Sequence, residues 1–390
     1  MSGILLASVG NSYGSLPVNI VAPAVTGTAT VGQTLSTTNG TWSGAPAPTF
    51  SYQWQRNGVN IFGATSSTYL LVEADIGNPI RCVVTATNPL GTESANSNAT
   101  SNVTGIVPVN TVAPAVSGSA TIGSTLTTSN GTWTGTPTPT FSYQWQKGTT
   151  NISGATSNSF TVTLSQAGST IRCVVTATNV AGSTSATTAN TASVPLPAVG
   201  SALQGGFFAG QIGVSSVATH FLIVAPLSSG QTQNRWKTTT TFTPGSTSDI
   251  DGPANTAAQV AAGSHPCADF CNNRVIGGYS DWYMPAKNEL EVLYYNLKPN
   301  SNSNNTNSGI NPNAVPARGS KYTSGNPAQT SATAFQTGGA EAFTGPAQYW
   351  ASTEFNETRA NTTYFGNGYQ TNDGKGSFSP FVRAVRRVAA

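Results

Sequence analysis

Charge is scarce in this chain. Asp, Glu, Lys and Arg make up 7% of its 390 residues, against roughly a quarter in an ordinary soluble domain. The net charge of +3 has no run of Lys and Arg behind it, so nucleic acid, which is held through clustered cations, is not an expected partner. No stretch reaches the length of about 18 apolar residues that crosses a bilayer, so membrane insertion is not expected either. The opening residues, MSGILLASVGNSYGS, have no basic start, and Ala, Ser and Gly interrupt the apolar run Ile4 to Val9. They do not read as a secretory signal. A protein that works outside a cell without one needs another exit, and assembly into a virus particle released by lysis supplies it. Histidine occurs twice and cysteine four times. What the chain has in place of charge is Gly, Ser, Thr and Asn, the vocabulary of strands and turns.

The strongest positive signal is a duplication. PVNIVAPAVTGTATVGQTLSTTNGTWSG, from Pro17, returns from Pro108 as PVNTVAPAVSGSATIGSTLTTSNGTWTG; PTFSYQWQ and IRCVVTATN also recur, so that Trp54 matches Trp145 and Cys82 matches Cys173. A period near ninety residues suits tandem all-β domains. In IRCVVTATN the alternation places Ile80, Cys82, Val84 and Ala86 on one face, the expected core, and Tyr52 shares a face with Trp54. The ordered Trp, IRC and VTATNxxG motifs resemble bacterial and phage immunoglobulin-like domains over residues 17 to about 194. Where a disulfide partner would stand, this chain has Leu35 and Leu126. No bridge can form inside either copy, and Cys82 and Cys173 are expected to be buried thiols. Residues 1–195 contain no His and only Glu73, Asp75 and Glu93 as acids, which leaves no catalytic set and points to spacers or adhesion modules.

From about Pro197 the texture changes, and both His and the second Cys pair appear. His220, beside an apolar run, is expected to be structural. Pro285 suits a helix's first turn, and Leu290, Leu293, Tyr294 and Leu297 follow at helical spacing before Pro299 stops it. Asp281, Trp282 and Tyr283 then fall in the loop feeding that helix, as a packing device. Glu289 and Glu291 leave the helix on different sides, so they do not pair for acid–base work, and solvation is expected to explain them. His265, Cys267 and Cys271 lack a fourth ligand for zinc, and buried thiols or a local bridge are expected instead. Asp249 and Asp251 do not complete a calcium loop. Arg383, Arg386 and Arg387 are expected to form ion pairs or protect a sheet edge.

GGYSDWYMPAKNELEVLY, then YWASTE at 349–354, then FVRAVRR at 381–387, resemble the Lcl C-terminal-like family of phage and bacterial surface domains over most of residues 205–389. That resemblance implies a fold related to C-type lectins and to the formylglycine-generating enzymes. The reactive cysteine pair of those enzymes is not carried over, since no Cys follows Cys271.

The expected architecture is mainly β: an attachment segment over 1–16, immunoglobulin-like β-sandwiches over 17–106 and 107–195, and an α+β C-type-lectin-like domain over 196–390. Trp54, Trp145, Trp282 and Trp350 are the expected core tryptophans. Segment 352–376, rich in Asn, Thr, Tyr and Gly, has the composition of a paratope, and Asn356, Arg359, Asn361, Tyr364, Asn367 and Tyr369 are the candidate ligand-binding residues. No catalytic residue, metal or cofactor is expected. The expected role is a structural and adhesion protein on a tailed-phage virion, held to other virion proteins through the N-terminal segment and meeting a host-surface glycan or protein, with a homotrimer by analogy. A capsid or tail decoration protein, and a bacterial surface adhesin, are the alternatives.

Overall fold

The computed structural model describes residues 14–376 and 380–390. Most of the expected attachment segment lies outside the described residues; its last two members, Ser15 and Leu16, already belong to the strand Ser15–Val21, which pairs with Thr41–Ala45. The chain divides into two compact units. One reaches to Val162 and includes Thr170–Ala192; the other comprises Thr163–Ser169 and the chain from Ser193 onward.

The first unit is built from the repeat. Strands Val59–Asn60, Thr49–Arg56, Ile80–Asn88 and Gly91–Asn96 form one antiparallel sheet in that order, and Val25–Thr26, Thr34–Thr37 and Thr68–Leu70 form another. Alternation in IRCVVTATN buries Ile80, Cys82, Val84 and Ala86 completely, and the first three meet Leu35 and Trp54 in one core. Trp54 registers directly against Cys82, stacks on Tyr69 with centroids 5.7 Å apart and donates its indole N–H to the Ser66 carbonyl at 2.9 Å. Two facing antiparallel sheets with the Trp strand beside the Cys strand are the immunoglobulin-like arrangement. The second copy repeats the sheet orders, with Thr150–Asn151, Thr140–Lys147, Ile171–Asn179 and Gly182–Thr187 in one sheet and Trp145 against Cys173. All four cysteines of the chain are free and buried.

In the second unit, strands Ala202–Leu203, Gly206–Val214, Val217–Val224 and Val385–Ala389 make an antiparallel sheet. An early strand is thereby paired with the last one, from His220 opposite Ala389 to Val224 opposite Val385. The chain between them makes a second sheet, ordered Gln231–Gln233, Phe381–Arg383, Gln348–Glu354, Arg359–Tyr364, Tyr369–Gly374, and the helices Gly252–Ala262, Pro266–Asn272 and Lys287–Leu297. No helix among the described residues is long and apolar enough to cross a membrane.

The GGYSDWYMPAKNEL stretch closes this unit. Trp282 is buried and donates to the Tyr279 carbonyl at 3.0 Å. Tyr283 exchanges both backbone hydrogen bonds with Val385, at 2.8 and 2.9 Å. Asp281 holds Arg386 through two bonds of 2.7 and 2.9 Å, a fork that fixes geometry as well as charge. Arg383 likewise pairs with Glu341 and Arg387 with Asp251. Pro285 stands outside the helix rather than in its first turn, because Ala286 is the N-cap.

The expectation of solvated glutamates is corrected. Glu289 and Glu291 are both fully buried. Glu289 accepts from the Ala286 amide at 2.8 Å, closing the helix start, and from the Tyr283 hydroxyl at 2.7 Å. Glu291 is ion-paired with Arg318 and accepts from the Tyr322 hydroxyl at 2.6 Å. They leave the helix on different sides, yet both sides are inside, since every residue from Asn288 to Tyr294 is buried.

Candidate functional site

The hairpin Arg359–Tyr364 and Tyr369–Gly374 lies at one edge of the second sheet. Its turn is fixed by small residues. Gly368 has φ +74°, and a Cβ there would meet the Tyr294 ring at 2.3 Å, so the position tolerates glycine alone. Asn367 Oδ1 accepts from the Tyr369 amide at 3.1 Å, an Asx turn. This places Tyr364 directly opposite Tyr369.

Those two rings flank a cleft of about 630 Å³, completed by Gln233, Gln348, Phe381 and the loop 344–347. Tyr349, buried below, sets the loop: its hydroxyl accepts from the Thr344 amide at 2.7 Å and donates to Gln231 Oε1 at 2.9 Å. Burial raises the Tyr349 pKa above its ordinary value, so the phenol keeps the proton that this tether needs. The described lining contains no carboxylate, imidazole, thiol or cation. Such a cleft can stack a ring and hydrogen-bond it through amides and phenols, and it holds no acid–base pair for neutral pH.

The structure brings Tyr364 and Tyr369 together and separates the other candidates. Asn361 points its amide to the Thr353 carbonyl at 3.0 Å and lines a different hollow. Asn356 is occupied by its own turn, accepting from the Thr358 and Arg359 amides at 3.0 and 2.8 Å. Arg359 donates to Asn372 Oδ1 at 3.1 Å. Gln233, Gln348 and Phe381 have no counterpart in the candidate set. Gln348 and Phe381 adjoin or open the YWASTE and FVRAVRR motifs, which mark strands rather than a ligand, and Gln233 lies in neither.

Several other reactive groups are engaged within the fold. His265 is fully buried, hydrogen-bonded through Nδ1 to the Gly263 carbonyl at 2.6 Å and through Nε2 to Thr243 Oγ1 at 3.0 Å, and burial lowers its pKa. Cys267 and Cys271 are buried in the helix Pro266–Asn272, and burial raises both thiols far above their ordinary value. Glu354, the acid of YWASTE, is buried in an ion pair with Lys375 and accepts from the Thr243 amide and Ser246 hydroxyl at 2.8 and 2.9 Å. Asp249 faces Lys287, and Asp251 caps the helix Gly252–Ala262 at the Ala254 amide. No group of three or more His, Cys, Asp or Glu side chains that could hold a metal ion occurs among the described residues.

No protein-family profile matches the chain, and no curated protein does. Among solved structures it is similar to the titin domains Z1Z2 in complex with telethonin, at 15% identity and a TM-score of 0.26, covering 47% of this chain and 97% of that one. It is also similar to the N-terminal four immunoglobulin domains of Dscam1 isoform 6.9, at 17% identity and a TM-score of 0.22, covering 45% of this chain and 46% of that one. The three N-terminal domains of the highly immunogenic outer capsid protein of bacteriophage RB49 match at 15% identity and a TM-score of 0.20, covering 43% and 58%. Likenesses at these scores carry no functional argument, and the immunoglobulin-like reading rests on the sheet order and register above.

Proposed function

We propose that this chain is a non-enzymatic structural and adhesion protein: two immunoglobulin-like spacers joined in sequence to a domain whose Tyr364–Tyr369 cleft binds an uncharged saccharide of a cell surface. The observation that carries this reading is the cleft's lining, which offers aromatic faces and amides without a titrating acid or base. A sugar ring presents an apolar face for Tyr and Phe and hydroxyls for Gln, which matches that inventory. The pairing of Val217–Val224 with Val385–Ala389 around one long excursion supports a C-type-lectin-like fold for the second unit. The sequence resemblance to phage immunoglobulin-like and Lcl C-terminal-like domains supports a place on a tailed-phage virion, with the host surface as partner.

The test is binding of the full-length chain to an array of neutral glycans. At least one is expected to bind, and Tyr364→Ala and Tyr369→Ala are each expected to weaken it about tenfold or more. Release of a product from a bound glycan would overturn the non-enzymatic reading, and unchanged binding by both variants would move the site elsewhere.

A further inference from the structure

The other side of the hairpin bears a second hollow, of about 270 Å³, whose lining includes Lys287, Asn307, Ser308, Asn361, Gln370 and Asn372. Its chemistry differs from that of the cleft: it contains one cation and no carboxylate. Lys287 opens the helix Lys287–Leu297, and its backbone amide is already taken by Thr353 Oγ1 at 2.9 Å, so its side chain is what it offers. The ammonium faces Asp249 at 3.5 Å, with the two side chains 38% and 46% exposed. Such a pair is screened by water and leaves the cation open to a competing anion.

The wall beside Lys287 is fixed by its own hydrogen bonds. Gln370 is held by its Oε1, which accepts from the Gly309 amide at 3.1 Å, and by its backbone N–H, which donates to Ser308 Oγ at 3.0 Å. Its Nε2 is buried with no hydrogen-bond partner. That nitrogen lies behind the wall, so the hollow's own groups are the ones at its surface. Asn361 and Asn372 are locked by their bonds to the Thr353 carbonyl and to Arg359, so the wall is preorganised. The hollow thus combines a half-exposed cation with a frame of hydroxyls and amides.

We infer that this hollow is a second saccharide subsite, one that takes a sugar carrying an anionic group. Lys287 pairs with the anion, and the Asn and Ser side chains hydrogen-bond the ring's oxygens. A carboxylate, a sulfate ester and a phosphate ester share this chemistry, and the experiment separates them. The subsite is independent of the cleft's reading, because it uses different side chains on the opposite face.

The experiment is calorimetric titration of the full-length chain with methyl glucuronide, glucose 6-sulfate and glucose 6-phosphate, with methyl glucoside as the neutral control. At least one anionic sugar is expected to bind about tenfold or more tightly than the glucoside, and less tightly as salt is raised. Lys287→Gln is expected to abolish that margin, while Lys287→Arg, which keeps the charge, retains it. Tyr364→Ala is expected to leave it unchanged, so failure of the cleft and failure of the hollow are told apart. Equal binding of the glucoside and all three anionic sugars, absence of binding by any of them, or an unchanged margin in a folded Lys287→Gln protein would overturn the assignment.

Discussion

Glu289 is a carboxyl group sealed from water, and its proton is the chain's clearest link between pH and stability. Burial raises its pKa from 4.5 to about 7, against the opposing pull of the Ala286 amide and Tyr283 hydroxyl. The folded state therefore binds a proton that the unfolded chain releases. The contribution is fully present below pH 4.5 and is lost as pH rises through about 7. Stability of the second unit is expected to fall by roughly 3 kcal/mol across that window. Glu289→Gln copies the protonated acid, one acceptor and one donor, and should flatten the dependence; parallel thermal melts from pH 4 to 8 check this. Asp281 is the complementary case. Asp281→Ala leaves Arg386, 7% exposed, without its fork, and is expected to destabilise the second unit by about 2 kcal/mol in denaturant unfolding. At this scale the sequence was legible where a residue acts on near neighbours, as Trp282 does on Tyr279. The burial of Glu291 was not, because Arg318 and Tyr322 lie more than two dozen residues further on and no local pattern announces them.

At the scale of elements, the duplication works as an internal control. In the first copy Asp75, fully buried, accepts from Arg56 Nε at 2.7 Å, the Tyr69 hydroxyl at 3.0 Å and the Val72 amide at 2.8 Å. The second copy has Lys147, Phe160 and Gln166 at the corresponding positions. All three positions differ together: the acid and the phenol are gone from the second copy while the cation is kept, as expected where a buried acid and its partners are coupled. Asp75→Ala alone should cost about 3 kcal/mol, whereas Arg56→Lys, Tyr69→Phe and Asp75→Gln together should cost less than about 1 kcal/mol, read by chemical unfolding. Phe62 is fully exposed and the second copy has Ser153 there, so Phe62→Ser should lie within about 0.5 kcal/mol of the parent. Strands with period-two burial were readable from IRCVVTATN alone. The helix Lys287–Leu297 was readable in extent but not in environment: its apolar stripe marks one buried face, and only the fold shows that the polar face is buried too.

At the scale of the whole molecule, no disulfide holds the chain together. All four thiols are free and buried, so a reducing agent should leave the melting temperature unchanged, and a thiol reagent should label four sites only after denaturation; mass spectrometry counts them. The cleft shows how far sequence reading reaches. Tyr364 and Tyr369 stand out by composition, within one hairpin. Gln233 and Phe381 come from strands far apart in the chain that pair side by side, and that adjacency is a property of topology rather than of any window of residues.

The pairing of Val217–Val224 with Val385–Ala389 also sets an order in time. A ribosome delivers the first of these strands long before the second, and no local hairpin can substitute for the missing edge. During synthesis the domain must wait, its sheet open on one side and Tyr283 without Val385. A chain cut short before that strand leaves an open sheet edge for chaperones and proteases to find.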